Sequence, residues 1–316
     1  MNGSLKTPNT AVFEATARCN LRCAHCGLSC APISKVQEMT IEQIETVFAK
    51  LKTFGVSNLI VSGGEFTLRE DWQEIIRIAL INFSSVRLIT NGRLGALLAK
   101  TLLVLPDRDR LTVSVSLDGD RETHDARRGA GSFDLADETI VSLTPIDKSV
   151  ITTVTKENFL KLIPVLQFCL DRRIEIWSVQ LGLPAGRMPK SSFLERADLL
   201  KLADFIWCAQ QIGEKNNLQV LADDCFFYRH PMRDKLPWRG CPAGRELITV
   251  HPDGSLTGCP TMPEFAIGNL CFDDLPEMWE KAFDVVRHKP TTCEKCSLCP
   301  GGCQAVAKIF NRQFCA

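Results

Sequence analysis

The sequence predicts an α/β fold: an open, partial (β/α)6 barrel followed by a small cysteine-rich C-terminal domain. Two patterns lead there. Short β-branched or apolar runs alternate with helix-periodic segments over the first two-thirds of the chain. After about residue 222 that alternation stops and cysteines crowd the remainder. The division places a barrel at 1–222 and a bridging segment plus cysteine-rich domain at 223–316.

Residues 11–16, 58–62, 86–90, 111–117, 149–155 and 174–179 read as buried strands bounded by turn residues. Thr40 can cap the first helix, with Gln43 as its capping-box partner. Ile41, Ile44, Phe48 and Leu51 then fall on one face. Residues 71–81, 94–103, 132–143 and 159–171 repeat the helical pattern, and a long helix is expected at 191–212. Parallel neighbours need such crossovers, so six β-α units imply a parallel sheet. Six fall short of the eight that close a barrel, and the chemistry belongs at the C-terminal ends of the strands. Beyond the barrel, 246–259 reads as a hairpin turning at His251-Pro252-Asp253-Gly254, followed by a helix at 275–283.

The chain has 316 residues, with 37 basic and 37 acidic side chains. Zero net charge gives no electrostatic reason to expect nucleic acid or an anionic membrane as partner. No apolar run is long enough to span a bilayer, and the polar N-terminus lacks a secretory core. A cytoplasmic location follows, where thiols stay reduced. The 15 cysteines are odd in number, which excludes complete pairing. Clustered cysteines in such a chain point to metal. Cys169, Cys208 and Cys271 lie among apolar residues and are expected to pack as small buried side chains.

Cys19-x3-Cys23-x2-Cys26 follows the first strand. Three thiolates on one loop suit three corners of an iron–sulfur cubane with one iron open, or three of the four ligands of a zinc site. Ser62-Gly63-Gly64-Glu65 follows the second strand, where adjacent glycines permit close backbone approach. Together these motifs resemble the radical S-adenosylmethionine (SAM) superfamily. The resemblance implies that Cys19, Cys23 and Cys26 hold a [4Fe–4S] cluster whose fourth iron is chelated by SAM. It implies that Gly63, Gly64 and Glu65 meet the methionine end of SAM. His25 occupies a position where the family usually has an aromatic residue near adenine. Thr90-Asn91-Gly92 and Ser116-Leu117-Asp118-Gly119 resemble the ends of strands three and four, so Asn91, Ser116 and Asp118 become cofactor-site candidates. Arg128, with Arg127 as substitute, resembles the arginine that meets the SAM carboxylate. Gly186 resembles the strand-six loop near the adenine.

The C-terminal cysteines resemble the SPASM extension, which houses two auxiliary [4Fe–4S] clusters. Carried over by order, Cys241, Cys259 and Cys303 would bind the first, and Cys293, Cys296, Cys299 and Cys315 the second. The spacing between Cys296 and Cys299 is shorter than usual, and the first cluster lacks an obvious fourth ligand; Cys225, another side chain or an open iron would complete it. Cys30 and Cys225 lie in predicted loops and are candidate hydrogen-atom donors or passive thiols. Tyr228, the single tyrosine, lies in an aromatic and basic segment that suits a substrate groove or a domain interface.

The resemblance implies an enzyme that uses an external electron donor to generate a 5′-deoxyadenosyl radical. Family members with SPASM domains frequently modify ribosomally made peptides by crosslinking, epimerisation or excision. Only 18 residues precede Cys19, too few for a recognition domain there, so a separate peptide-recognition protein is expected. The alternative is a dehydrogenase or epimerase acting on a carbohydrate or aminocyclitol.

Overall fold

A computed structural model describes residues 7–222, 241–281 and 303–309. Its centre is a nine-stranded sheet. Strands β1 (Thr10–Glu14), β2 (Asn58–Ser62), β3 (Ser85–Thr90), β4 (Leu111–Ser116), β5 (Asp147–Val154) and β6 (Ile176–Leu181) lie side by side in chain order, all parallel. This consecutive order is that of a barrel left open. All six C-terminal ends therefore point the same way, and the loops after them share one rim.

The helices between the strands are α1 (Ile41–Thr53), α2 (Trp72–Asn82), α3 (Gly95–Leu102), α4 (Arg121–Arg128), α5 (Ser132–Ser142) and α6 (Ile163–Asp171), with α7 (Arg196–Glu214) after β6. The start of α1 is the expected capping box: Thr40 Oγ1 accepts from Gln43 N, and Gln43 Oε1 accepts from Thr40 N at 2.9 Å. Such a cap contributes about 1 kcal/mol. Helix α1 buries Ile44, Val47, Phe48 and Leu51. Phe48 stands edge-on to both Phe13 of β1 (5.1 Å) and Phe83 after α2 (5.3 Å), which locks sheet to helix layer.

Three departures from the pattern have local causes. Helix α6 begins at Ile163 rather than 159, because Asn158 caps the preceding turn: its Oδ1 accepts from Thr155 N at 2.8 Å, and Pro164 then sits at the helix start. A further parallel strand, β7 (Gln219–Ala222), pairs with β6; at four residues it is too short for periodicity to reveal. Cys208 is exposed, not buried. The buried face of α7 is Leu202, Ala203, Ile206, Ala209 and Gly213, and position 208 falls off it. Cys169 is buried and Cys271 packs partly buried against the core, as expected.

The hairpin is present as β8 (Leu247–Val250) and β9 (Leu256–Thr257), antiparallel to each other. Strand β8 pairs in parallel with β1, Phe13 opposite Val250, so it extends the barrel sheet itself. Two short helices, α8 (Leu275–Lys281) and α9 (Gln304–Ile309), complete the described residues. Among the described residues no helix is long and apolar enough to cross a membrane.

Candidate active site

The loop after β1 is zipped to the loop after β2. Gly64 N donates to Thr16 O at 2.7 Å, and Glu65 N donates to Arg18 O at 2.8 Å. A Cβ on Gly64 would lie 2.0 Å from Arg18 O, so no other residue fits there. The Gly-Gly pair thus serves the chain's own backbone, seating the cysteine loop. The Glu65 carboxylate is buried and turned toward β3: it accepts from Thr67 Oγ1 (2.8 Å), Thr90 Oγ1 (3.0 Å) and Asn91 N (2.8 Å). Burial pushes its pKa up, against those bonds. On the outer side of the loop, Arg69 donates to Ala15 O and Met39 O and pairs with Asp71 at 2.6 Å, while Arg18 pairs with Glu38 at 3.0 Å.

Cys19, Leu21, Cys23 and Cys30 form one buried apolar knot, with Cys26 and Leu28 packed against it. Burial pushes the Cys19 thiol up to about 11, and raises Cys23 against the opposing field of Arg128. Cys26 moves down, because the Cys30 thiol hydrogen-bonds to it. Asn91 Nδ2 lies 3.8 Å from Cys19 Sγ and donates to Asn20 Oδ1 at 2.8 Å. Among the described residues no three His, Cys, Asp or Glu side chains close on a single metal ion.

Above these thiols lies a buried charge cluster. Asp118 is fully buried at the end of β4. Its Oδ2 receives Arg128 Nε at 2.6 Å and faces His25 Nε2 at 3.2 Å; its Oδ1 accepts from Thr153 N at 3.0 Å. Arg127 Nε stands 3.7 Å from the same carboxylate, and Arg127 Nη1 donates to Thr155 Oγ1 at 2.7 Å. Arg127 also pairs with Glu157 at 3.7 Å, so the two guanidiniums are shared between the buried Asp118 and the half-exposed Glu157. Burial lowers the pKa of His25, against the Asp118 carboxylate that faces it, which favours the neutral ring. Its Nε2 faces Asp118, so Nδ1 is the ring acceptor; that atom is buried with no hydrogen-bond partner. Ser116 is buried on the same strand end.

Gly186 and Arg187 close the rim from β6. Gly186 has φ +57°, and a Cβ there would lie 2.5 Å from Gly27 O. Arg187 then grips the cysteine loop at three carbonyls: its Nε donates to Cys23 O (3.0 Å), its Nη1 to Cys30 O (2.7 Å) and its backbone N to Cys26 O (3.0 Å). β1 and β6 are five strands apart, so one side chain joins distant loops of the open sheet. Arg187→Ala is expected to lose about 2–4 kcal/mol of stability in chemical denaturation, with Arg187→Lys recovering only part because it lacks the fork.

The family model of the Radical SAM superfamily matches residues 13–163, and that of the SPASM iron–sulfur cluster-binding domain matches 241–300. The chain is 30% identical to the mycofactocin maturase MftC of Mycobacterium ulcerans, over 97% of this chain and 85% of that one. The chain belongs to the radical SAM superfamily. It is an enzyme, and its cofactors are SAM and [4Fe–4S] clusters, including the auxiliary clusters of a SPASM domain. It is also 27% identical to the AdoMet-dependent heme synthase of Methanosarcina barkeri, over 95% of this chain and 92% of the relative. In fold it is similar to SuiB of Streptococcus suis bound to the precursor peptide SuiA, with TM-score 0.78 at 19% identity, covering 95% of this chain and 73% of that one.

The radical SAM loop fits its cluster. Cys19 and Cys23 lie in an apolar knot whose burial penalises bare thiolates, a penalty that coordinated iron removes, and Cys26, already shifted toward the thiolate, packs against it. The orphaned His25 Nδ1 and Arg127 Nε, with the Arg128 guanidinium beside Cys23, offer polar contacts to a zwitterionic ligand. In the SPASM region burial raises the Cys259 thiol, against the hydrogen bond from Thr261, and the field of Cys303 adds to the rise. Cys241 is half-buried against the main core. Cys225, Tyr228, Cys293, Cys296, Cys299 and Cys315 lie outside the described residues. Sequence reasoning assigned no role to Arg187, although an arginine directly after a strand-end glycine was the available signal.

Proposed function

We propose that this radical SAM enzyme modifies a ribosomally synthesised peptide. The observation that carries the reading is the 30% identity to a maturase along nearly the whole chain. The fold is also that on which SuiB carries its precursor peptide. When bound and reduced, the first cluster supplies the electron that cleaves SAM, giving a 5′-deoxyadenosyl radical able to take hydrogen from an unactivated C–H bond.

The chain's own residues do the positioning. Cys19, Cys23 and Cys26 hold the cluster in the knot, and Arg187 with the Gly63-Gly64 turn fixes the loop that carries them. The Arg127–Arg128 corner binds the carboxylate of SAM, while Asp118 orients Arg128 and His25. Asn91 and Ser116 line the same rim. Cys241, Cys259 and Cys303 hold the first auxiliary cluster; Cys293, Cys296, Cys299 and Cys315 hold the second. Cys30 is buried beside Cys26 and held by Arg187 through its carbonyl. That placement favours a role in supporting the loop over hydrogen donation to a substrate. A separate recognition protein delivers the peptide, in the cytoplasm.

The test is product mass after anaerobic reconstitution with SAM, a strong reductant, and precursor peptides encoded beside the gene. Loss of two hydrogens indicates a crosslink or oxidation, a larger loss indicates excision, and solvent deuterium incorporation without other change indicates epimerisation. A second reading is favoured by the heme synthase relative, 92% of which is covered: the substrate is then a tetrapyrrole. Unchanged peptides together with a tetrapyrrole of altered mass would select it.

A further inference from the structure

The pairing of β1 with β8 sets two polar residues side by side at the boundary between the cysteine loop and the hairpin. Phe13 is opposite Val250, and one residue further Glu14 meets His251. His251 Nδ1 lies 2.8 Å from Glu14 Oε2, and His251 Nε2 lies 2.9 Å from Thr257 Oγ1. Thr257 Oγ1 lies 3.0 Å from Cys259 O. A carbonyl only accepts, so the single hydroxyl hydrogen of Thr257 is given to Cys259. His251 must then donate through Nε2, and a further proton lies in the contact it shares with Glu14. Glu14, His251 and Thr257 are all buried. The network is directional: carboxylate, imidazole, hydroxyl, ligand-bearing backbone. It leads from the strand that launches the SAM-cluster loop to a cysteine of the SPASM domain. Thr261, whose Oγ1 lies 3.1 Å from Cys259 Sγ, also stands beside Gly27 of the cysteine loop. The two metal regions therefore abut here.

We propose that Glu14 and His251, acting through Thr257, are positioning residues that fix Cys259 as a ligand of the first auxiliary cluster and tie that cluster to the barrel. The inference rests on Cys259 being such a ligand. The hydrogen bonds that orient a ligand govern how tightly the metal is held, commonly by tenfold or more. Here the orientation is imposed from the radical SAM strand, so the auxiliary cluster is built against the barrel rather than hung on a separate module.

The experiment uses the full chain, reconstituted anaerobically, with three readouts: iron lost to a chelator over time, the electron paramagnetic resonance (EPR) spectrum of the reduced auxiliary cluster, and 5′-deoxyadenosine released without substrate. Thr257→Val removes the hydroxyl at nearly constant volume, and Thr257→Ser keeps it. His251→Gln removes the imidazole. The valine and glutamine variants are expected to lose auxiliary iron about tenfold faster and to show a changed auxiliary spectrum, with deoxyadenosine release unchanged. The serine variant is expected to behave as the parent. A lowered melting temperature with parental spectrum and iron-loss rate in both Thr257→Val and His251→Gln would overturn the proposal, since ordinary packing would explain it. Parental auxiliary iron and spectrum in Cys259→Ser would overturn it at its premise, and would show that the ligand assignment had failed rather than the pair.

Discussion

Replacing Asp118 with asparagine is expected to cost about 3–5 kcal/mol of folding stability and to weaken SAM binding severely. The carboxylate is fully buried and receives Arg128 Nε at 2.6 Å, with His25 and Arg127 around it. Asparagine keeps the volume but removes the negative charge, leaving two buried guanidiniums repelling one another. Burial by itself would raise the Asp118 pKa; Arg128, then His25 and Arg127, reverse that and hold it well below the usual carboxylate range. A depressed folded pKa contributes stability that is complete above the ordinary carboxylate pKa of about 4 and is lost as pH falls toward the folded value. Chemical denaturation at neutral pH should therefore show the full deficit in Asp118→Asn. The difference from the parent should narrow at acid pH, as Asp118 of the unfolded parent takes up a proton that the folded carboxylate does not. An equal deficit at both pH values would show that shape rather than charge mattered.

Cys23→Ala is expected to abolish deoxyadenosine release and to remove one cluster's worth of iron, while the auxiliary iron stays. Cys23 sits in the same knot as Cys19 and is the thiol nearest in field to Arg128. Losing it removes a corner of the cluster at the point where Arg187 grips the loop backbone, through Cys23 O. Iron and sulfide assay together with chromatography of the nucleoside products checks both halves. Retained SAM cleavage would place the reactive cluster elsewhere.

Much of this was legible in the sequence because the signals were local. The Thr40–Gln43 box, the alternation of strands and helices, and the spacing of Cys19, Cys23 and Cys26 each depend on residues close together in the chain. Boundaries slipped where a turn competed with helix, as at Asn158 before α6. They were invisible where an element was short, as in β7. Cys208 misled because a run of apolar neighbours does not by itself say which face of α7 is buried. The tertiary contacts were not legible. Glu14 and His251 are 237 residues apart, and only the parallel register of β1 with β8 brings them together. Arg187 and the cysteine loop are likewise joined by the open barrel's rim. Gly64 was legible as a close-approach glycine, but not that its neighbour is Arg18 O of the preceding strand's loop.

The most direct test is the EPR spectrum of the anaerobically reconstituted, reduced protein with and without SAM, in parent and Cys23→Ala. The first three cysteines are predicted to hold a cluster with an open iron. SAM should then shift one cluster's signal in the parent, with deoxyadenosine released, and shift nothing in the variant. A parent spectrum indifferent to SAM, with no nucleoside formed, would contradict the account.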